Sequence, residues 1–186
     1  MNKSAMCLLL SSSFLASCSV NVDQYEDSDN NFDLQSYFDG KLIAWGVIQN
    51  LNDKVTRKFC VELDGQWENK KGLLVEKFYF DDGEISYRNW HLTETTPNHF
   101  TGTAEDVVGS AIGQQQGMAF NLQYTLKLPV DDTTYEVAMD DWMYQIDEYR
   151  IVNKTSISKL SVNVANVTIF FDKQLPLNTC LDFNNR

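Results

Sequence analysis

The sequence predicts an all-β domain: an antiparallel up-and-down β-barrel of about eight to ten strands. Three observations carry this. From Gly40 onward apolar residues recur at every second position, the spacing of a strand that buries one face. Turn-forming residues separate these runs at short intervals. Almost no stretch keeps an apolar repeat of 3.6 over three turns, so the body is not built of helices. A meander this long closes most simply into a barrel, which leaves no unpaired edge.

Strands are expected near 40–50, 55–67, 73–81, 84–94, 98–106, 107–114, 118–128, 133–145, 148–158 and 161–172. The clearest is Val55 to Asp64, where Val55, Arg57, Phe59, Val61 and Leu63 alternate with Thr56, Lys58, Cys60, Glu62 and Asp64. One face is apolar, with an arginine set into it. Met118 to Leu128 repeats the pattern, with Met118, Phe120, Leu122, Tyr124, Leu126 and Leu128 on one side and Asn121, Gln123, Thr125 and Lys127 on the other. Turns fall at Asn52-Asp53, Asp82-Gly83, Pro97-Asn98 and Asp131-Asp132. Gly102, Gly109, Gly113 and Gly117 mark bends or bulges; they form neither a dinucleotide nor a phosphate-binding loop.

Ahead of this body, residues 1–17 have the form of a signal peptide: Lys3, an apolar stretch around Met6 to Leu10, then small and apolar residues up to Ser17. The tetrad Leu15-Ala16-Ser17-Cys18 resembles the bacterial lipobox, which implies cleavage before Cys18 and acylation of that cysteine. Acyl chains contribute about 0.8 kcal/mol per buried methylene, so such an anchor holds a soluble body at a membrane with no polypeptide in the bilayer. Ser19 in place of Asp resembles the sorting pattern of lipoproteins carried to the outer membrane of a bacterial envelope, where the body would face the periplasm; retention at the inner membrane is the alternative. Residues 18–36, rich in Asp and Asn, are expected to be a flexible linker, and residues 37–186 a single domain with a C-terminal tail.

With Cys7 in the removed segment and Cys18 lipidated, Cys60 and Cys180 remain in the body. An oxidising compartment favours a disulfide between them. It would close a loop of roughly 120 residues, with a chain-entropy effect of up to about 4 to 5 kcal/mol. Two free thiols are the alternative.

A formal net charge of -11, from 15 Lys plus Arg against 26 Asp plus Glu, supplies no basic stripe for nucleic acid. His91 and His99 are not at a metal-binding spacing and no further ligand completes a site. Neither a metal nor a cofactor is expected.

The residues that could carry chemistry are charged groups on apolar faces. Parity with Val137 and Met139 turns Asp141 inward and Asp140 outward, and a buried carboxylate needs a partner or a proton. Arg57 is one candidate partner. Glu76, between Leu74, Phe78 and Phe80, and Arg88, beside Trp90 and Leu92, are the other inward candidates. Together with Trp45, Trp90, Tyr124 and Trp142 they make a candidate barrel interior for a ligand. Phe59, Phe78, Phe120 and Tyr135 extend the apolar wall.

Several motifs occur together between Tyr37 and Asp172: Phe38-Asp39-Gly40 with Ala44-Trp45-Gly46; Leu74 to Phe78, Asp82-Gly83-Glu84 and Arg88-Asn89-Trp90; Thr101-Gly102-Thr103-Ala104-Glu105-Asp106-Val107-Val108-Gly109; and Asp140-Asp141-Trp142-Met143-Tyr144. In this combination the chain resembles the bacterial lipoprotein family known as domain of unknown function 3833. The resemblance implies a lipocalin-like, calycin barrel tethered to a membrane, with no established activity.

Three functions fit these expectations. The first is a carrier that holds a small apolar, lipid-like ligand and predicts a cavity. The second is a non-catalytic envelope protein with a filled barrel, in which the buried charges fix strand register and protein partners are unspecified. The third, an enzyme using Glu76 or Asp141 as general acid or base on a lipid-like substrate, is the least favoured.

Overall fold

The computed structural model describes residues 20–29, 31–130, 132–181 and 183. The expected signal peptide, Cys18 and Asp131 lie outside them.

Ten antiparallel strands form one closed barrel in which each strand pairs with its neighbours in sequence and the last closes on the first. They are β1 (Gly40–Asn50), β2 (Val55–Glu68), β3 (Lys71–Phe80), β4 (Ile85–Thr96), β5 (His99–Thr103), β6 (Val107–Gln116), β7 (Ala119–Val130), β8 (Thr133–Gln145), β9 (Arg150–Lys159) and β10 (Val162–Asp172). The alternation seen in the sequence sets the facing. Phe59, Val61 and Leu63 of β2 are buried, as are Phe120, Leu122, Tyr124 and Leu126 of β7, and all belong to one central core.

Two boundaries differ from the expectation for physical reasons. Asn69 and Lys70 both take positive φ, 47° and 70°, so β2 and β3 run on to a two-residue hairpin whose twist matches the strands. Residues 104–106 form a turn, with the Val107 N–H donating to the Ala104 carbonyl at 3.2 Å, so β5 ends at Thr103.

The strand order gives the barrel two different ends. At one end lie the β2–β3, β4–β5, β6–β7 and β8–β9 turns, and here a short helix, α1 (Leu34–Phe38), forms a floor. Asp33 caps it by accepting from the Gln35 and Ser36 N–H groups, at 3.1 and 3.3 Å. Its far end is closed by Lys173, whose Nζ donates to the carbonyls of Ser36, Tyr37 and Asp39 at 3.2, 2.6 and 3.0 Å. Leu34, Tyr37 and Phe38 are buried. The Phe38 carbonyl sits so close to β2 that a Cβ on Gly65 would lie 1.7 Å from it, which is why glycine occupies that position.

Residues 18–36, expected as a flexible linker, are not a solvated tether over the part that is described. Val22–Tyr25 form a 3-10 turn, and Val22, Phe32 and Leu34 are buried. The Phe32 N–H donates to the Gly117 carbonyl at 2.6 Å, and Gly117 (φ 52°) leaves room for the Tyr25 carbonyl, which would stand 1.8 Å from a Cβ. The few apolar residues scattered among the Asp and Asn side chains reach the barrel end, and their burial outweighs the polar composition that suggested a tether.

On the outer wall Cys60 of β2 and Cys180 of the Leu177–Cys180 3-10 turn form a disulfide, with Cα atoms 5.5 Å apart. Both cysteines are buried in a small cluster with Ile43 and Tyr79, against which Trp45 and Leu177 pack. Among the described residues no helix is long and apolar enough to cross a membrane.

Candidate functional site

Above the floor the barrel encloses a cavity of about 250 Å³. Its wall is mainly Phe59, Phe78, Phe80, Trp90, Leu126 and Ile157, with Ile48, Leu128 and Val167 toward the open end. Native packing leaves few voids larger than a water molecule, so a space this large is not what a filled barrel produces. Phe78 and Phe80 stack at 6.0 Å with an interplanar angle of 13°, and both lie near Phe59, at 5.8 and 5.7 Å. Trp90 meets Tyr124 edge-on at 5.2 Å. These contacts hold the aromatic wall in fixed orientations.

One polar layer crosses this apolar interior. Glu76 of β3 stands opposite Arg88 of β4 in the strand register, and Asp141 of β8 stands opposite Thr155 of β9. Arg88 turns its Nε and Nη2 toward Asp106, just before β6, at 3.0 and 2.6 Å from Oδ2. Asp141 accepts a short hydrogen bond from the Asn153 amide, and the Thr155 hydroxyl donates to Asn153 Oδ1 at 3.2 Å. Glu76 is buried and its Oε2 has no hydrogen-bond partner.

The electrostatics follow from that geometry. Burial pushes the Glu76 carboxyl up to about 7; the Arg88 charge pulls against this, while Asp141 and Asp106 add to it. Burial likewise pushes Asp141 up to about 6, against the hydrogen bonds from Asn153 and Thr155. Burial, then Asp141, holds the Tyr124 phenol well above its ordinary range, so it remains a neutral donor. For Arg88 burial works against the charge, but Tyr124, Glu76 and Asp106 more than offset it, and the guanidinium stays ionised. A carboxyl poised near neutrality in an apolar chamber can hold a polar head group or exchange a proton with it.

Of the residues expected in the interior, Arg57, Glu76, Arg88, Trp90, Tyr124 and Asp141 line the cavity, and Trp45 and Trp142 do not. Arg57 is at the open end and is not the partner of Asp141. Its Nη2 lies 2.7 Å from both Asp82 and Glu84 of the β3–β4 turn, and its guanidinium stacks 3.6 Å above the Phe80 ring. Trp45 is on the outer wall, because β1 points Ala44 and Ile48 inward and the disulfide-bonded tail covers the opposite face. Trp142 also faces out: its Nε1 donates to Asp140 Oδ2 at 3.2 Å and its ring stacks on Tyr144 at 6.1 Å, beneath Tyr25. Tyr135 does not line the cavity either; it lies near the start of β8, under the Lys159 ammonium at 3.6 Å.

Asp106, Asn153 and Thr155 belong to the polar layer and were not singled out for it. The β9 run Ile151, Asn153, Thr155, Ile157 carries the signal, since two polar residues share the parity of two buried isoleucines. Asp106 lies in a turn, where alternation says nothing. Among the described residues no three His, Cys, Asp or Glu side chains converge as metal ligands would.

Comparison with known proteins gives a family and a fold. A family model described as a protein of unknown function (DUF3833) matches residues 12–173. No curated protein matches the chain. Among solved structures the barrel is similar to that of an S-type phycobiliprotein lyase from Guillardia theta, with a TM-score of 0.54 at 8% identity, over 74% of this chain and 89% of that one. The shared architecture is the lipocalin-like barrel.

Proposed function

The chain belongs to the DUF3833 family, and from its barrel interior we propose that it is a binding protein which holds a small, largely apolar ligand, anchored to a bacterial membrane through a lipid on Cys18. The observation that carries the binding reading is the cavity, about 250 Å³ of mostly apolar space crossed by a single polar layer. Natural ligand sites have this composition: apolar wall for affinity, and a few convergent polar groups for orientation. The likeness to the lyase supports the barrel architecture and brings neither that protein's substrate nor its reaction. The anchor rests on the Leu15-Ala16-Ser17-Cys18 tetrad, and placement at the periplasmic face of the outer membrane rests on Ser19.

The test is native mass spectrometry of protein starting at Ser19 and secreted to the periplasm, with an organic extract of the same sample. A stoichiometric apolar adduct is the expected result. A clean apo mass from folded protein, unchanged after incubation with apolar ligands, overturns the reading in favour of an interaction protein. For the anchor, the full chain made in a bacterium should carry an acylated amino-terminal Cys18, whereas Cys18→Ser should release it from the membrane fraction.

A further inference from the structure

We infer, building on the ligand-binding reading, that the cavity accepts an apolar molecule carrying a cationic nitrogen head group, and discriminates against carboxylates. Among the described residues two cations line the cavity, Arg57 and Arg88. Arg57 is engaged by Asp82 and Glu84 at the rim, and Arg88 is engaged through Nε and Nη2 by Asp106. Each arginine therefore has its counter-charge outside the cavity wall. Two carboxyl groups, Glu76 and Asp141, feel the Arg88 charge without forming an ion pair with it, and both are more than nine-tenths buried.

They differ in how far they are satisfied. Asp141 takes a hydrogen bond from Asn153, whereas Glu76 has a buried oxygen with no partner. An unsatisfied buried acceptor costs about 1–3 kcal/mol, more when charged, and a ligand that supplies the missing donor recovers that cost. An ammonium or amidinium brings donors and the opposite charge. A carboxylate would add a third anion beside two carboxyls and would find neither arginine free of a counter-ion. Apolar walls at Phe78 and Trp90 would receive the hydrocarbon part.

Calorimetric titration of the folded domain at pH 8 with octylamine, octanol and octanoate separates the possibilities. The expected result is octylamine binding at least about tenfold tighter than either of the others, equivalent to about 1.4 kcal/mol. Glu76→Gln should erase the preference for octylamine over octanol and octanoate. Comparing the three probes on the unmodified protein needs no variant, so the inference stays testable if Glu76→Gln fails to fold. Octanoate or octanol binding as tightly as octylamine overturns the head-group assignment and leaves the ligand-binding reading standing. If none of the three binds, and native mass spectrometry shows no adduct either, both fall together.

Discussion

The two ends of the barrel are built on opposite plans. At the floor, Phe32, Leu34, Tyr37 and Phe38 pack against the inner wall, Lys173 closes the helix, and the Tyr37 hydroxyl donates to the Tyr149 carbonyl at 2.9 Å. At the mouth, Ile48, Phe78, Phe80, Leu128 and Val167 are only partly buried, and Leu51, Val55, Val130 and Val162 are exposed around the rim. One sheet thus carries a core that is finished at one end and left unfinished at the other. Packing is densest at the floor, which leaves the mouth free to change shape without unfolding the barrel.

That contrast can be broken most severely at the floor. Phe38→Ala should lower the free energy of unfolding by about 3–5 kcal/mol. Phe80→Ala, at a partly buried mouth position, should lower it by less, about 1–2 kcal/mol. Urea denaturation of both variants measures the difference, and equal losses would show that the two ends share the load.

The polar layer between the ends gives the next largest effect. The folded state raises the Glu76 carboxyl from 4.5 to about 7 and the Asp141 carboxyl from 3.8 to about 6, so it retains protons that the unfolded chain has released. Their contribution is therefore fully present below the ordinary carboxyl range and is lost as pH rises through about 7. For Glu76 the loss is on the order of 3 kcal/mol. Glu76→Gln should accordingly stabilise the protein at pH 8 and leave it nearly unchanged at pH 4, as read from denaturation curves at both values.

Smaller changes sharpen the comparison. Lys173→Met removes the donor shared by three floor carbonyls and should cost about 1–2 kcal/mol with no change in ligand affinity. At the mouth, Leu160 and Ser161 both adopt positive φ, 49° and 63°, and Leu160 is 91% exposed. Replacing the pair with Asn-Gly should raise stability by about 0.5–1 kcal/mol, because that sequence suits the hairpin turn and no contact is lost.

The barrel was legible in the sequence because strand alternation is a local signal: Phe59, Val61 and Leu63 face in for the reason that Cys60 and Glu62 face out. The interior acids Glu76 and Asp141 were legible by the same parity. Trp142 ran against that parity, which sets it with Asp140 on the outer face beneath Tyr25, and Trp45 was not legible, because the outer face of β1 is also apolar, covered by the tail around Cys180. Alternation cannot choose between two apolar faces. The pairing of Arg57 with Asp82 and Glu84 and of Arg88 with Asp106 depends on turns, whose side chains follow no period. The floor was missed for a related reason, since a five-residue helix is shorter than any periodic pattern can reveal.

The docking of the amino-terminal segment under the floor also fixes which way the cup would stand. Val20 is two residues beyond Cys18, and from Val22 onward the chain is held against the barrel base. Were Cys18 acylated as proposed, the base would rest on the leaflet with almost no slack. Ten-residue strands rising about 3.3 Å per residue and tilted by about 40° would then lift the mouth roughly 25 Å above it. A cup held upright in this way would exchange any ligand across the aqueous gap, and not with the bilayer on which it stood.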